Sequence, residues 1–173
     1  MSKHPTTPPT PSAKKAPQKK IAVVFVCTGN ICRSPVAERL FKDYLKKQGK
    51  QGLYRVSSVG VMACVDKPMS QLSQQVLKEL KVAAGGHKGR QLSEKIIRAT
   101  QFFICMTQDH KNCMGGMDNV YTVAEITDGH DVFDPYGGSY ADYKKMCDHL
   151  SYATPEIFKF IEKRVLEGQG TSH

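Results

Sequence analysis

A chain of 173 residues, 40% hydrophobic and 24% charged, is long enough for one α/β domain with a sizeable core and suggests no second domain. No apolar run approaches membrane-spanning length, and the N-terminus lacks the hydrophobic stretch of a signal peptide, so neither a membrane anchor nor secretion is expected. The net charge is +9, but Lys3, Lys14, Lys15, Lys19 and Lys20 supply five of those charges with no acid before residue 21, so the basic balance belongs largely to a tail.

That tail, residues 1–20, holds five prolines with Thr, Ser and Lys. It lacks the apolar residues that offset ordering entropy, so it is expected to be a disordered, solvated leader. Specific nucleic-acid binding is not expected from it. The domain is expected over 21–173. Its first element, Ile21–Val26, is a continuous apolar run and reads as a buried parallel strand. Pro35 suits the first position of a following helix, in which Ala37, Leu40, Phe41, Tyr44 and Leu45 form one apolar face. Gly49 and Gly52 end it. Tyr54–Val59 reads as a second strand, and Ser70 caps a helix with the stripe Leu72, Val76, Leu77 and Leu80. Ala84–Gly86 breaks the pattern, and Ser93 opens a short helix through Arg98. Phe102–Met106 is a third strand and Val120–Val123 a shorter fourth. Two helical stretches close the chain, one carrying Tyr143, Met146, Cys147 and Leu150, the other Ile157, Phe160, Ile161 and Val165, separated near Pro155. The alternation predicts a single three-layer α/β domain: a four-stranded parallel sheet flanked by helices.

Between the first strand and helix lies Cys27-Thr28-Gly29-Asn30-Ile31-Cys32-Arg33-Ser34, a Cys-x5-Arg loop. A short loop leading into a helix N-terminus collects unpaired N–H groups and the positive end of the helix dipole, so it binds phosphate. The same field favours the thiolate of a cysteine placed there. In an open parallel sheet, ligands bind beyond the carboxyl ends of the strands, where this loop sits. The remaining cysteines, at 64, 105, 113 and 147, form no closely spaced pairs of pairs, so no metal or other cofactor is expected; a reactive thiol suits a reduced, cytoplasmic setting. Cys32 has two readings, a partner that forms a protective disulfide with Cys27 or a small buried hydrophobe completing the loop.

A thiolate attacking phosphorus needs an acid to protonate the leaving group. Asp134, in Val132-Phe133-Asp134-Pro135-Tyr136-Gly137-Gly138-Ser139, is the candidate, with Phe133 and Tyr136 expected to desolvate its carboxylate. The same stretch also reads as an ordinary Asp-Pro turn.

Together, the Cys27–Pro35 segment and the Asp134–Ser139 segment resemble the low-molecular-weight protein tyrosine phosphatase family over residues 21–167. The resemblance implies Cys27 as the nucleophile of a phosphocysteine intermediate, Arg33 as a bidentate phosphoryl ligand, and Ser34 as a donor to the thiolate. Asn30 would hold the loop shape, and Asp134 would act as acid and then base. His87 and Arg90 match a His-x-x-Arg pair that braces the loop, although His87 taken alone also reads as a surface histidine. Ser58-x-Gly60-Val61-x-Ala63 and Met106-Thr107-x-x-His110-Lys111 resemble a bacterial branch that includes protein arginine phosphatases; Thr107 stands where many members carry Asp.

Ile31 bears on the substrate. Arginine phosphatases of that branch carry Thr at this position, and an apolar branched side chain packs on an aromatic ring while offering no hydroxyl to a guanidinium. Tyr136 offers a second ring, and Cys64 takes the place of a bulky wall residue. The expected activity is phosphotyrosine hydrolysis on a phosphorylated protein substrate, with protein arginine phosphatase as the alternative. A thioredoxin-coupled arsenate reductase, with Cys105 and Cys113 as relay thiols, and a non-catalytic phosphate-binding or redox-sensing module are more distant readings.

Overall fold

The computed structural model describes residues 6–10 and 16–169. The expectation of a disordered tail falls in part on 1–5 and 11–15, outside the described residues; 6–10 and 16–20 are exposed and carry no helix or strand.

Four strands form one all-parallel sheet: β1 (Ile21–Cys27), β2 (Tyr54–Gly60), β3 (Phe102–Cys105) and β4 (Val120–Thr122), in the order β2-β1-β3-β4. The unbroken apolar run of β1 follows from its central place, since a strand covered on both faces has no polar side. Val23, Phe25 and Cys27 point into one core, and Val24 and Val26 into the other. The first core is built by α1 (Arg33–Lys47), α2 (Gln71–Glu79) and α6 (Tyr140–Gln169), with Phe25, Phe41 and Tyr54 in edge-to-face contact. Fully burying each such side chain contributes about 2–3 kcal/mol. The second, smaller core lies under α3 (Glu94–Ala99), whose Ile96 and Ile97 cover Val26, Phe103 and Cys105. Two short helices, α4 (Gln108–Asn112) and α5 (Val123–Thr127), complete the domain.

Three local expectations change. Helix α1 begins at Arg33 with Cys32 as its N-cap, so Pro35 is the third helical residue rather than the first. The first turn has no internal donor requirement, which is why proline fits there. The two C-terminal stretches are one helix with Pro155 inside it. Proline removes one hydrogen bond, but Met146, Leu150, Ala153, Ile157 and Ile161 all bury on one face, and that shared packing holds the axis through the break. The fourth strand stops at Thr122, whose side chain caps α5 in a reciprocal capping box with Glu125, so Val123 is helical. No helix among the described residues is long and apolar enough to cross a membrane.

The topology places the site. From β1 the chain passes first to β2 on one side, then crosses to β3 on the other, so the carboxyl end of β1 is the point where the winding changes direction. Loops diverge from such a point and leave a crevice. Cys27 is its last strand residue.

Candidate active site

The loop from Cys27 to Arg33 wraps over the start of α1, and its shape is fixed by Asn30. This residue has φ +59°, a left-handed conformation that asparagine tolerates better than most side chains, and it is fully buried. Every polar group of its amide is used: Nδ2 donates to Ser34 Oγ at 2.8 Å and to Ser58 Oγ at 2.9 Å, and Oδ1 accepts the Arg90 N–H at 2.9 Å. His87 Nε2 meets the Asn30 carbonyl at 2.7 Å. The His87–Arg90 segment thus lies against the loop, with His87 contributing its ring and Arg90 its backbone, the Arg90 side chain being exposed. This brace does not run through Thr107, which caps α4 by accepting the His110 N–H.

Cys27 Sγ lies 2.9 Å from Ser34 Oγ and receives the Asn30 N–H at 3.3 Å. Helix α1 has no side-chain cap, and the Ser34 hydroxyl is turned to the sulfur. Arg33 is buried to 5% exposure, with Nη1 donating to the Val132 carbonyl at 3.2 Å and Nη2 lying 3.5 Å from Asp134 Oδ2. Val132 N in turn donates to the Met106 carbonyl, which ties the Asp134 segment to the end of β3. Cys27, Arg33 and Asp134, remote in sequence, line one cavity of about 260 Å³ together with Thr28, Gly29, Ile31, Cys32, Met62, Cys64 and Tyr136. Among the described residues no group of three His, Cys, Asp or Glu side chains is placed to hold a metal ion.

Asp134 differs from expectation in one respect. Its side chain is 55% exposed, and Phe133 and Tyr136 are 44% and 74% exposed, so the rings do not bury the carboxylate. Phe133 instead lies under the Lys145 ammonium, and Asp134 is held by Arg33 and by the Tyr136 N–H, donated to Oδ1 at 3.1 Å. The Asp-Pro turn is real as well: Gly138 N donates to the Pro135 carbonyl, and Gly137 takes a positive φ. One segment serves as both turn and carrier of the carboxylate.

Cys32 Sγ faces the Tyr143 hydroxyl at 3.4 Å and Ser70 Oγ at 3.7 Å, and burial pushes its thiol up from the ordinary range. Cys105, one relay thiol of the arsenate-reductase reading, is fully buried in β3 and pushed up to about 12 by that burial, as suits a core side chain. Cys113 is exposed at the end of α4.

Three neighbours of the loop carry no role in the sequence reading. His110, 4% exposed, meets Thr28 Oγ1 through Nε2 at 2.9 Å; burial, with the Arg33 charge nearby, pushes it down to about 4, so the ring is neutral at pH 7. Ser58 and the buried carboxylate of Glu38 stand behind Asn30. Ser58 and His110 both lie in motifs that carried the resemblance, which was the available signal. Gly60 and Gly89 pack without room for a Cβ, against the Thr28 and Cys64 carbonyls respectively.

Comparison with known proteins bears on this site. The family model for low molecular weight phosphotyrosine protein phosphatase matches residues 22–167. The protein-arginine-phosphatase of Bacillus subtilis is 34% identical over 148 residues, covering 82% of this chain and 97% of the relative. The low molecular weight protein-tyrosine-phosphatase YfkJ of the same organism is 29% identical over 153 residues, covering 83% and 97%. The crystal structure of YfkJ superposes with a TM-score of 0.78 at 26% identity, covering 84% of this chain and 97% of that one.

Proposed function

The chain belongs to the low molecular weight phosphotyrosine protein phosphatase family, a family of cysteine-dependent hydrolases, and from that premise we propose that it hydrolyses phosphotyrosine on protein substrates through a phosphocysteine intermediate. The observation that carries this reading is the convergence of Cys27, Arg33 and Asp134 on one cavity. The Cys27 thiolate attacks phosphorus in line with the departing phenolic oxygen. Arg33 and the loop N–H groups hold the equatorial oxygens, whose charge they stabilise without reorganising. In the structure Arg33 is paired with Asp134; an entering phosphoryl group takes over the guanidinium and leaves the carboxyl group facing the leaving oxygen. Asp134 gives that oxygen its proton, then removes one from the water that cleaves the S–P bond, restoring thiolate and releasing inorganic phosphate. Ser34 steadies the sulfur in both steps. Nothing in this sequence calls on a cofactor. The thiolate chemistry fits a reduced cytoplasmic location.

Ile31 supports phosphotyrosine over phosphoarginine. Its partly exposed side chain lines the same cavity as Tyr136, offering an aryl phosphate apolar contact. The second reading, protein arginine phosphatase, is favoured by the first of the two Bacillus relatives and by the open wall at Cys64. Rates on phosphotyrosine and phosphoarginine proteins, measured side by side, separate them. The parent is expected to prefer phosphotyrosine, and Ile31→Thr to move the rate ratio toward phosphoarginine by about tenfold, the usual value of one hydrogen-bonded polar contact in a site. A parent that prefers phosphoarginine reverses the assignment.

A further inference from the structure

The second face of the sheet is left partly open at its edge. Side chains alternate along a strand, so Arg55 and Ser57 of β2 share the face of Val59, which joins the smaller core. Helix α3 covers that core, yet Arg55 on the outermost strand stays exposed and Ser57 partly so. Two hollows of about 440 and 480 Å³ adjoin there, and because Ala22, Arg55, Ala99 and Thr100 line both, they form one groove. Arg90 and Lys95 stand along one half, Lys19, Lys20 and Arg98 along the other, with Arg55 common to both. Among the described residues no carboxylate lines either half. Arg55 is pinned by the Ala99 carbonyl at 2.8 Å, and Arg98 faces Glu94 at 3.4 Å. The other four cations have no acidic partner among the described residues.

We propose that this groove holds an acidic, extended segment of the phosphorylated protein substrate, remote in sequence from the phosphorylated residue. The proposal rests on the reading of the chain as a phosphatase of phosphotyrosine proteins. Unpaired cations gathered on one surface repel one another, and an acidic ligand relieves that repulsion while its own attraction is steered from a distance. The groove also begins beside the active site. The Arg90 N–H is bonded to Asn30 of the phosphate loop, and the Gln91 amide bridges the Val61 carbonyl and the Ala63 N–H, each at 2.9 Å. Those two groups flank Met62, which lines the active-site cavity. A substrate chain that leaves the cavity past Met62 thus crosses one strip of the surface to reach Arg90. The floor selects the class of ligand. Ala22, Val24 and Ile96 offer apolar contact to side-chain stems, and no aromatic ring among the described residues lines the groove to stack a nucleic-acid base. A concave channel also fits a single chain better than a flat anionic surface.

The test uses the full-length protein and phosphotyrosine peptides that differ only in one short run of residues, all glutamate or all glutamine. The run is set at spacings from about two to eight residues on either side of the phosphotyrosine, at ~3.4 Å of reach per residue. At low salt the parent is expected to favour the best glutamate peptide by about tenfold in kcat/KM, mostly through KM, and to lose that preference in about 0.5 M salt. In the triple variant Lys19→Glu, Lys20→Glu and Lys95→Glu the preference is expected to fall within about twofold, with rates on the glutamine peptide and p-nitrophenyl phosphate held. The triple variant Lys46→Glu, Lys78→Glu and Lys163→Glu changes the net charge equally on α1, α2 and α6, and is expected to keep the preference. No preference in the parent, or an equal loss in both triple variants, would overturn the proposal, since the latter is what net charge alone gives. If the first triple variant does not fold by circular dichroism, Lys95→Glu decides alone, with an expected loss of about two- to threefold. A fluorescent, unphosphorylated glutamate peptide followed by anisotropy separates the two readings. Turnover of the glutamine peptides with neither preference nor peptide binding sinks the groove alone. Peptide binding without turnover of any phosphotyrosine peptide sinks the phosphotyrosine reading, and the groove's substrate role with it. A single-stranded oligonucleotide of equal charge that binds more tightly than the peptide, and is released by the same substitutions, would overturn the peptide assignment.

Discussion

Cys27→Ser is expected to lower kcat for aryl phosphate hydrolysis by about 10⁴-fold or more, the scale of losses on removing a covalent nucleophile. The physical basis is acidity. The Cys27 sulfur receives the Asn30 N–H, faces the Ser34 hydroxyl and lies at the N-terminus of α1, contacts of the kind that favour a thiolate, whereas a serine hydroxyl in the same place keeps its proton. Among the described residues no imidazole is hydrogen-bonded to the sulfur to act as a base: His110 is bonded to Thr28, and His87 to the Asn30 carbonyl. The substitution is nearly isosteric, so Arg33 and the loop remain to bind phosphate. Steady-state rates on p-nitrophenyl phosphate, paired with calorimetric titration of inorganic phosphate, separate the two effects. Retained phosphate binding with lost turnover is the expected pattern; turnover within tenfold of the parent would mean another group attacks phosphorus.

Asp134→Asn carries the second large effect. A general acid contributes typically 10² to 10⁴-fold, and its contribution scales with how badly the leaving oxygen needs a proton. The loss is therefore expected to approach about 10³-fold for alkyl and unactivated aryl phosphates and to shrink toward about tenfold for p-nitrophenyl phosphate. The geometry supports this role without burial. The carboxylate is held at the mouth of the cavity by Arg33 and by the Tyr136 N–H, on a turn closed by the Gly138 N–H and the Pro135 carbonyl. Asparagine keeps the second contact through its side-chain oxygen but has no proton to give. A plot of log kcat/KM against leaving-group acidity for the two proteins reads the result directly. Parallel lines, with an equal loss for every leaving group, would remove Asp134 from the acid role and return its segment to a plain turn.

Much of this was legible in the sequence, for reasons that can be named. The β1 run, apolar on both faces, announced a central parallel strand, and the stripe through Leu40, Phe41 and Leu45 announced a helix packed on it. Cys27, Asn30, Arg33 and Ser34 could be placed together because they sit in one short loop, where the covalent chain itself enforces proximity. Helix boundaries were less legible. Cys32 caps α1 through its backbone alone, so no capping side chain marks the start, and Pro155 is overruled by tertiary burial on either side of it. The support of the loop was the least legible part. Glu38 reads as one more charged residue on an amphipathic helix, and its burial against Ser58 is created only when β2 pairs with β1 and brings that hydroxyl beside the α1 N-terminus. Likewise, the exposure of Asp134 depends on Phe133 turning away to Lys145, a choice made by α6 and invisible within the motif.

The central claim is that phosphate passes through a covalent bond to Cys27. Rapid-quench mass spectrometry of the Asp134→Asn variant, mixed with p-nitrophenyl phosphate, tests it most directly, because a good leaving group keeps the first step fast while the missing base slows the second. A phosphoryl adduct on the Cys27 peptide, appearing with a burst of nitrophenol and decaying as phosphate is released, is the predicted result. Turnover with no burst, and the label on another residue or on none, would contradict it.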